Sequence, residues 1–268
     1  MLIKTKKNVF LIVLTLFLSS FILVACGNST NTTKPKDSHS QQDVNPLFEK
    51  AQNLFDQDKY EDAYKIFKQL ADQGDANAQN ALGNGYQHGF WGETDLKQAK
   101  KWFQKAADQN YVGGIHNLGI LEFLQGNYKQ ALPYFEKAAS MNHADSINML
   151  GIYHQEGIVF EQDYKKALAY FSQAIDVDAD NASAQFNIGQ AYYYGEGVGQ
   201  DYKKAFVWLT KSANQDYSLA QIQLAEMYFS GKGVNKNVAK AIEIIKPLAE
   251  LGDPKAQQNL KWYVDHPN

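Results

Sequence analysis

The sequence predicts an all-α chain, a solenoid of about six helix pairs closed by one further helix. Three observations predict it. One apolar stripe occurs six times: Ala63-Ile66-Phe67-Leu70-Ala71, Ala99-Trp102-Phe103-Ala106-Ala107, Ala131-Tyr134-Phe135-Ala138-Ala139, Ala167-Tyr170-Phe171-Ala174-Ile175, Ala205-Trp208-Leu209-Ser212-Ala213 and Ala241-Ile244-Ile245-Leu248-Ala249. Its positions are i, i+3, i+4, i+7 and i+8, one face of an α-helix. The copies start 36, 32, 36, 38 and 36 residues apart, the period of a helix-pair array. A second pattern precedes the later stripes: Ala78-Leu82-Gly83-Tyr86, Ile115-Leu118-Gly119, Ile147-Leu150-Gly151, Ala184-Ile188-Gly189-Tyr192 and Ala220-Leu224-Ala225-Tyr228.

In chain order, residues 1–25 come first. Lys4, Lys6 and Lys7 precede an apolar run from Val9 to Leu18 that continues to Leu23-Val24-Ala25-Cys26. A basic start, an apolar middle and small residues before a cut site read as an export signal. The alternative is a membrane-spanning anchor, since the run is nearly long enough. Cys26, the only cysteine, separates the two. Leu23-Val24-Ala25-Cys26 resembles the bacterial lipobox, which implies cleavage before Cys26 and a lipid on its sulfur. A lone thiol cannot staple the fold. Gly27 after it, rather than Asp, implies the outer membrane facing the periplasm in a Gram-negative cell. In any bacterium the expected location is the cell envelope.

Residues 26–45 are read as the lipidated cysteine and a tether. From 27 to 45 there is no aromatic and one branched aliphatic residue, too little apolar surface to offset ordering. Such a coil reaches on the order of 25 Å. Asn45-Pro46 marks the fold's start, an N-cap followed by proline at the first helical position. Residues 46–75 form the first helix pair, 76–253 five longer repeats, and 254–268 a lone helix with Pro254, Ala256, Leu260, Trp262 and Tyr263. In the recurring pattern the residue after Leu or Ile is small, where two helices approach closely. The last helix has Lys261 there, as a terminal cap with no following helix allows. Gly89, Gly126, Gly157, Gly195 and Gly231 fall at helix ends, as C-cap glycines do.

These residues resemble the Sel-like repeat family, relatives of the tetratricopeptide repeats. The resemblance rests on Leu-Gly-x-x-Tyr, on the loops Gly195-Glu196-Gly197-Val198 and Gly231-Lys232-Gly233-Val234, and on Asp201-Tyr202-Lys203-Lys204-Ala205-Phe206-Val207-Trp208. It covers residues 76–253, with a tetratricopeptide-like pair from 46 to 75 leading in. Residues 112–143 depart from it, turning through Gly126-Asn127-Tyr128 without the long loop, and Glu122 and His154 replace the tyrosine. The resemblance implies a right-handed α-solenoid whose first helix in each pair lines a concave groove.

Composition narrows the partners. The formal charge is −3, and the 26 basic residues are all lysine. Nucleic-acid readers lean on arginine's fork, so no nucleic-acid partner is expected. The pairs Lys100-Lys101, Lys165-Lys166 and Lys203-Lys204 read as a solvated face.

No catalytic motif is present. Asp176, Asp178 and Asp180 imitate the start of a calcium loop, but Asn181 and Asn187 stand where Gly and Glu are required, so a capped turn is expected. The six histidines form no i, i+4 pair, so no metal or other cofactor is expected. Trp102, Tyr134, Tyr170 and Trp208 sit in the stripe and are expected in the core. His116 and His154 could face the groove, though packing is the better reading.

That leaves the groove. Carrying the first-helix pattern across the repeats places Asn80, Asn84, His116, Phe123, Asn148, Phe186, Gln190, Tyr193, Tyr194, Glu226 and Phe229 toward it, with Ile120, Ile152 and Ile222. Several could equally contact the next repeat. Aromatic area beside amides suits a peptide, and with no lysine among them a charged chain terminus is not the feature recognised. The expectation is a lipid-anchored scaffold binding a partner protein or peptide segment: an assembly or secretion component, or a toxin it neutralises as an immunity protein. The alternative implied by the resemblance is a β-lactam-binding or hydrolysing enzyme. That branch carries cysteine pairs in its repeats, and these repeats have none.

Overall fold

A computed structural model describes residues 45–267. The export signal, Cys26 and the tether lie outside the described residues. Among those described there are 13 helices and no strand: α1 (Pro46–Phe55), α2 (Tyr60–Asp72), α3 (Ala76–His88), α4 (Leu96–Asp108), α5 (Val112–Leu124), α6 (Tyr128–Ser140), α7 (Ala144–Glu156), α8 (Tyr164–Val177), α9 (Ala182–Tyr194), α10 (Tyr202–Ala213), α11 (Ser218–Ser230), α12 (Val238–Glu250) and α13 (Pro254–Asp265). They form six pairs and a closing helix in a repeat solenoid of tetratricopeptide type. The chain forms two compact units, one ending at Ser146 and one starting at Ile147.

Local chemistry sets the helix starts. Asn45 Oδ1 accepts a hydrogen bond from Leu47 N at 3.0 Å, with Pro46 in the first turn. Asp75, Asp95, Asp163, Asn181, Asp201, Asn237 and Asp253 cap later helices through their side chains, satisfying amides left open in a first turn. The Asp176–Asn181 segment is such a turn. Asn181 Oδ1 accepts from Ala184 N at 2.9 Å, and Asp178 Oδ1 from Asp180 N at 3.1 Å. Gly89, Gly195 and Gly231 end α3, α9 and α11 in the left-handed conformation.

The small residue of each odd helix is a seat for one side chain of the next even helix. A Cβ on Gly119 would lie 2.8 Å from the Phe135 ring and on Gly189 2.7 Å from Leu209. On Gly83 and Gly151 it would overlap the rings of Phe103 and Phe171. α1 and α11 use Ala51 and Ala225, fully buried in the clusters that hold Phe67 and Ile245. Each seated residue is the i+4 member of the stripe, which explains why glycine and phenylalanine recur together. Close packing of this kind leaves no space for an added methyl. In α13 the same position is Lys261, and it is exposed.

The expectation that all four stripe aromatics lie in the core is corrected. Trp102 is buried, but Tyr134, Tyr170 and Trp208 are only half-buried. They occupy the i+3 edge of the stripe, where a large ring can cover the core while one face meets solvent. Lysines sit over both tryptophans of the i+3 position, Lys105 Nζ 4.1 Å from the ring centre of buried Trp102 and Lys211 Nζ 4.4 Å from that of half-buried Trp208, a cation–π arrangement.

The loops after α9 and α11 fold back on the preceding even helix. Gly197 has φ 73° and lies against the Tyr164 carbonyl, and Gly233 has φ 75° against the Tyr202 carbonyl. The loop after α7 keeps this backbone with Val159, at φ 66°, in the same place.

Candidate functional site

The odd-numbered helices carry the residues expected at a groove. In the unit ending at Ser146, Asn117 Nδ2 donates to Asn80 Oδ1 at 2.9 Å and to Asn84 Oδ1 at 3.1 Å. These amides therefore join α3 to α5. His116 of α5 reaches Ser146 of α7, Nδ1 to Oγ 2.8 Å, and His143 Nδ1 lies 3.1 Å from the same hydroxyl. The two imidazoles are 4.6 Å apart. Burial, with His143 alongside, lowers the His116 pKa to about 3, against a small opposing pull from Asp145. Phe123 does not face a groove; it is fully buried against Phe135 and Tyr128, since its side of α5 turns toward α6. Glu122 is also buried and pairs with Lys100, while Asn127 Nδ2 donates to it at 2.9 Å. The Lys100 ammonium holds that carboxyl below its usual pKa.

The unit starting at Ile147 has a ladder of the same kind within itself. Asn187 Nδ2 donates to Asn148 Oδ1 at 2.8 Å, and Asn148 Nδ2 to Ser183 Oγ at 3.2 Å. Gln190 Nε2 reaches Gln223 Oε1 at 3.4 Å, and Tyr193 OH donates to Glu226 Oε1 at 3.3 Å. Asn148 and Tyr193 are buried, which corrects the expectation that they face a partner. Their polar ends join successive odd helices, because a buried polar atom without a partner is costly. Ile152 is buried as well, and so is His154, stacked between Phe160 and Tyr170 with burial depressing its pKa. Tyr194 is 54% exposed, and Phe186, Gln190, Glu226 and Phe229 are half-buried. Phe229 stacks on Tyr263 at 4.4 Å, and Phe186 meets Tyr217 at 5.3 Å.

Two contributors escaped the sequence reading. Tyr263 of α13 stands behind Phe229, though α13 read only as a cap. His143 and Ser146 gather on His116 from 27 and 30 residues away, a distance no local spacing rule spans. The repeat period of about 36 residues was the available signal for the second pairing.

Charge is partitioned as well. Between α3 and α11 every helical lysine lies on an even-numbered helix; α3, α5, α7, α9 and α11 contain none. From α3 to α11 the odd helices therefore present amides, aromatic rings, imidazoles and carboxylates but no ammonium group.

Residues 54–75, 76–111, 182–217 and 218–253 match the Sel1 repeat. The chain carries Sel1 repeats. Between them, residues 111–180 match a tetratricopeptide repeat, covering the stretch that lacks the first long loop. A Sel1 repeat protein from Oxalobacter formigenes is similar, at 28% identity over 80% of this chain and 88% of that one, with a TM-score of 0.66. The protective antigen c5321 of uropathogenic Escherichia coli, which displays an SLR fold, is 33% identical over 74% of this chain and 43% of its own length, with a TM-score of 0.57. The immunity protein Pa5087 from Pseudomonas aeruginosa shares the fold, at 19% identity over 87% of this chain and 81% of that one, with a TM-score of 0.53. No curated protein matches the sequence. Sel1 and tetratricopeptide repeats build scaffolds for protein–protein interaction, and neither match indicates a catalytic family.

Proposed function

We propose that this protein is a lipid-anchored scaffold of the bacterial cell envelope that binds a segment of a partner protein on its odd-helix face. The observation that carries the reading is the character of that face: free of helical lysine from α3 to α11, with Tyr194 exposed beside half-buried Phe186, Phe229 and Gln190. Aromatic area edged by polar groups is what protein-binding surfaces concentrate. Most of the amides hold one helix to the next, so recognition falls to the aromatics and to Glu226. The proposed partner is an assembly or secretion component, or a toxin to be neutralised. The proposed attachment point is Cys26, on its resemblance to the lipobox cysteine; no helix among the described residues is long and apolar enough to cross a membrane.

The test is a pull-down from native envelopes with the wild type and a Phe186→Ala/Tyr194→Ala/Phe229→Ala variant of equal helicity. A protein held by the first and at least tenfold depleted on the second is expected; equal capture would refute the face as the binding surface. Cys26→Ser should abolish labelling by a palmitate analogue, and a mutant that still labels would refute the anchor.

A further inference from the structure

We infer that the end of this face between α9, α11 and α13 is a notch for a basic side chain, arginine or lysine, of the partner segment. The inference rests on the groove reading above and names the chemistry recognised at one point of it.

The anion comes first. Glu226 lies on α11, is half-buried, and has no lysine within ion-pair distance among the described residues. Its direct hydrogen bonds are long and come from neutral groups, Tyr193 OH at 3.3 Å and Gln223 Nε2 at 3.5 Å, with the Lys232 charge farther off. Glu122 of α5 shows the contrast, since Lys100 and Asn127 both engage it. A partly desolvated carboxylate with two long neutral donors gains most from a cation brought to it.

The walls are aromatic. Tyr194 is 54% exposed and stands edge-on to Tyr193, centres 4.9 Å apart. Phe229 and Tyr263 stack at 4.4 Å on the other side. Tyr263 is 97% buried, its exposure being 3%, and its hydroxyl lies beside the Asn259 side chain of the same helix. It lies close enough to Glu226 and Tyr193 for their charges to act on it. A phenol oxygen has two lone pairs, so beyond Asn259 it can still accept an N–H brought by a partner.

The chain also displays what these rings accept. Lys232 Nζ lies 5.1 Å from the Tyr193 ring centre and 5.4 Å from that of Tyr202, and donates to Tyr193 OH at 3.1 Å. Lys236 Nζ lies 5.6 Å from the Phe229 ring centre. Two ammonium groups already use the outer faces of the cluster, and neither forms a direct ion pair with Glu226; Lys232 acts on it from a distance, across the Tyr193 hydroxyl. An incoming cation would therefore meet the carboxylate from the open, Tyr194 side.

The experiment uses full-length protein in detergent and two synthetic decapeptides, alike except for one central arginine or its uncharged isostere citrulline. Aromatic and methyl resonances are followed by NMR. The arginine peptide should bind at least tenfold tighter than the citrulline peptide, shifting Tyr194 and Phe229, and Glu226→Gln should erase that difference. Equal affinities, or an arginine preference that survives Glu226→Gln, overturn the notch while leaving the groove reading intact. If neither peptide binds, both fall. Spermidine shifting Tyr194 as strongly as the arginine peptide would also overturn it, by making the occupant a free polyamine.

Discussion

Gly233→Ala should lower stability by roughly 2–5 kcal/mol, about 1–2 for placing an L-residue in the left-handed region and 1–3 for overpacking. Gly233 has φ 75°, and its missing Cβ would strike the carbonyl of Tyr202 at the start of α10. That contact is with backbone, which cannot rotate away. The loop would have to lift from α10, taking half-buried Val234 out of the cluster around Leu209 and Met227. Gly199→Ala is the control, since nothing lies within 4 Å of its would-be Cβ and its φ is not positive. Thermal unfolding should separate the two variants by several degrees. Equal midpoints would mean that the loop does not bear on the helix pair.

The second large effect is expected on acidification. His116 is neutral in the folded protein, its pKa pushed down to about 3 from 6.5. Above pH 6.5 neither state carries the proton and stability is full. Below it the unfolded chain binds a proton the native state refuses, so stability falls by up to about 1.4 kcal/mol per pH unit. At pH 5 the loss is about 2 kcal/mol. His88 and His154 are depressed by burial too and act in the same direction. Glu156 and Glu196, raised by burial, act in the opposite direction as pH falls through the carboxylate range. His143, Asp145 and Ser146 are the groups around His116. Urea unfolding at pH 7.5 and 5.0 should show the loss in the wild type and clearly less of it in His116→Asn. An identical loss in both would exclude His116 as its source.

The helices were legible because their signals are local and repeated. A five-position stripe, an N-cap and a C-cap glycine each act within one or two turns, and six copies confirm one another. Even the seat for phenylalanine was foreshadowed by the small residue of the pattern. The loop after α7 was less legible, because Val159 holds a conformation that Gly197 and Gly233 mark openly. The groove was half legible. Helical phase places Asn80, Asn148 and Tyr193 on one side of their helices, but it does not say whether that side meets solvent or the next odd helix. Asn117, Asn187 and Glu226 decide that, each roughly one repeat away. Phe123 was misread for a related reason: in α5, which has glycines at 113, 114 and 119 and Glu122 paired to Lys100, the apolar residues run almost all round, so phase alone carries little information.

Lys261 has a consequence for assembly. Every earlier odd helix offers a flat seat of hydrogen or methyl on which the next even helix sets a phenylalanine, leucine or isoleucine. At the last seat stands a four-carbon chain ending in a charge, pointing into water. A helix from another molecule, however well its stripe matched, would find no recess there and would have to bury an ammonium to dock. One side chain thus sets a charge where a further stripe helix would otherwise find its seat, and burying that charge opposes docking there.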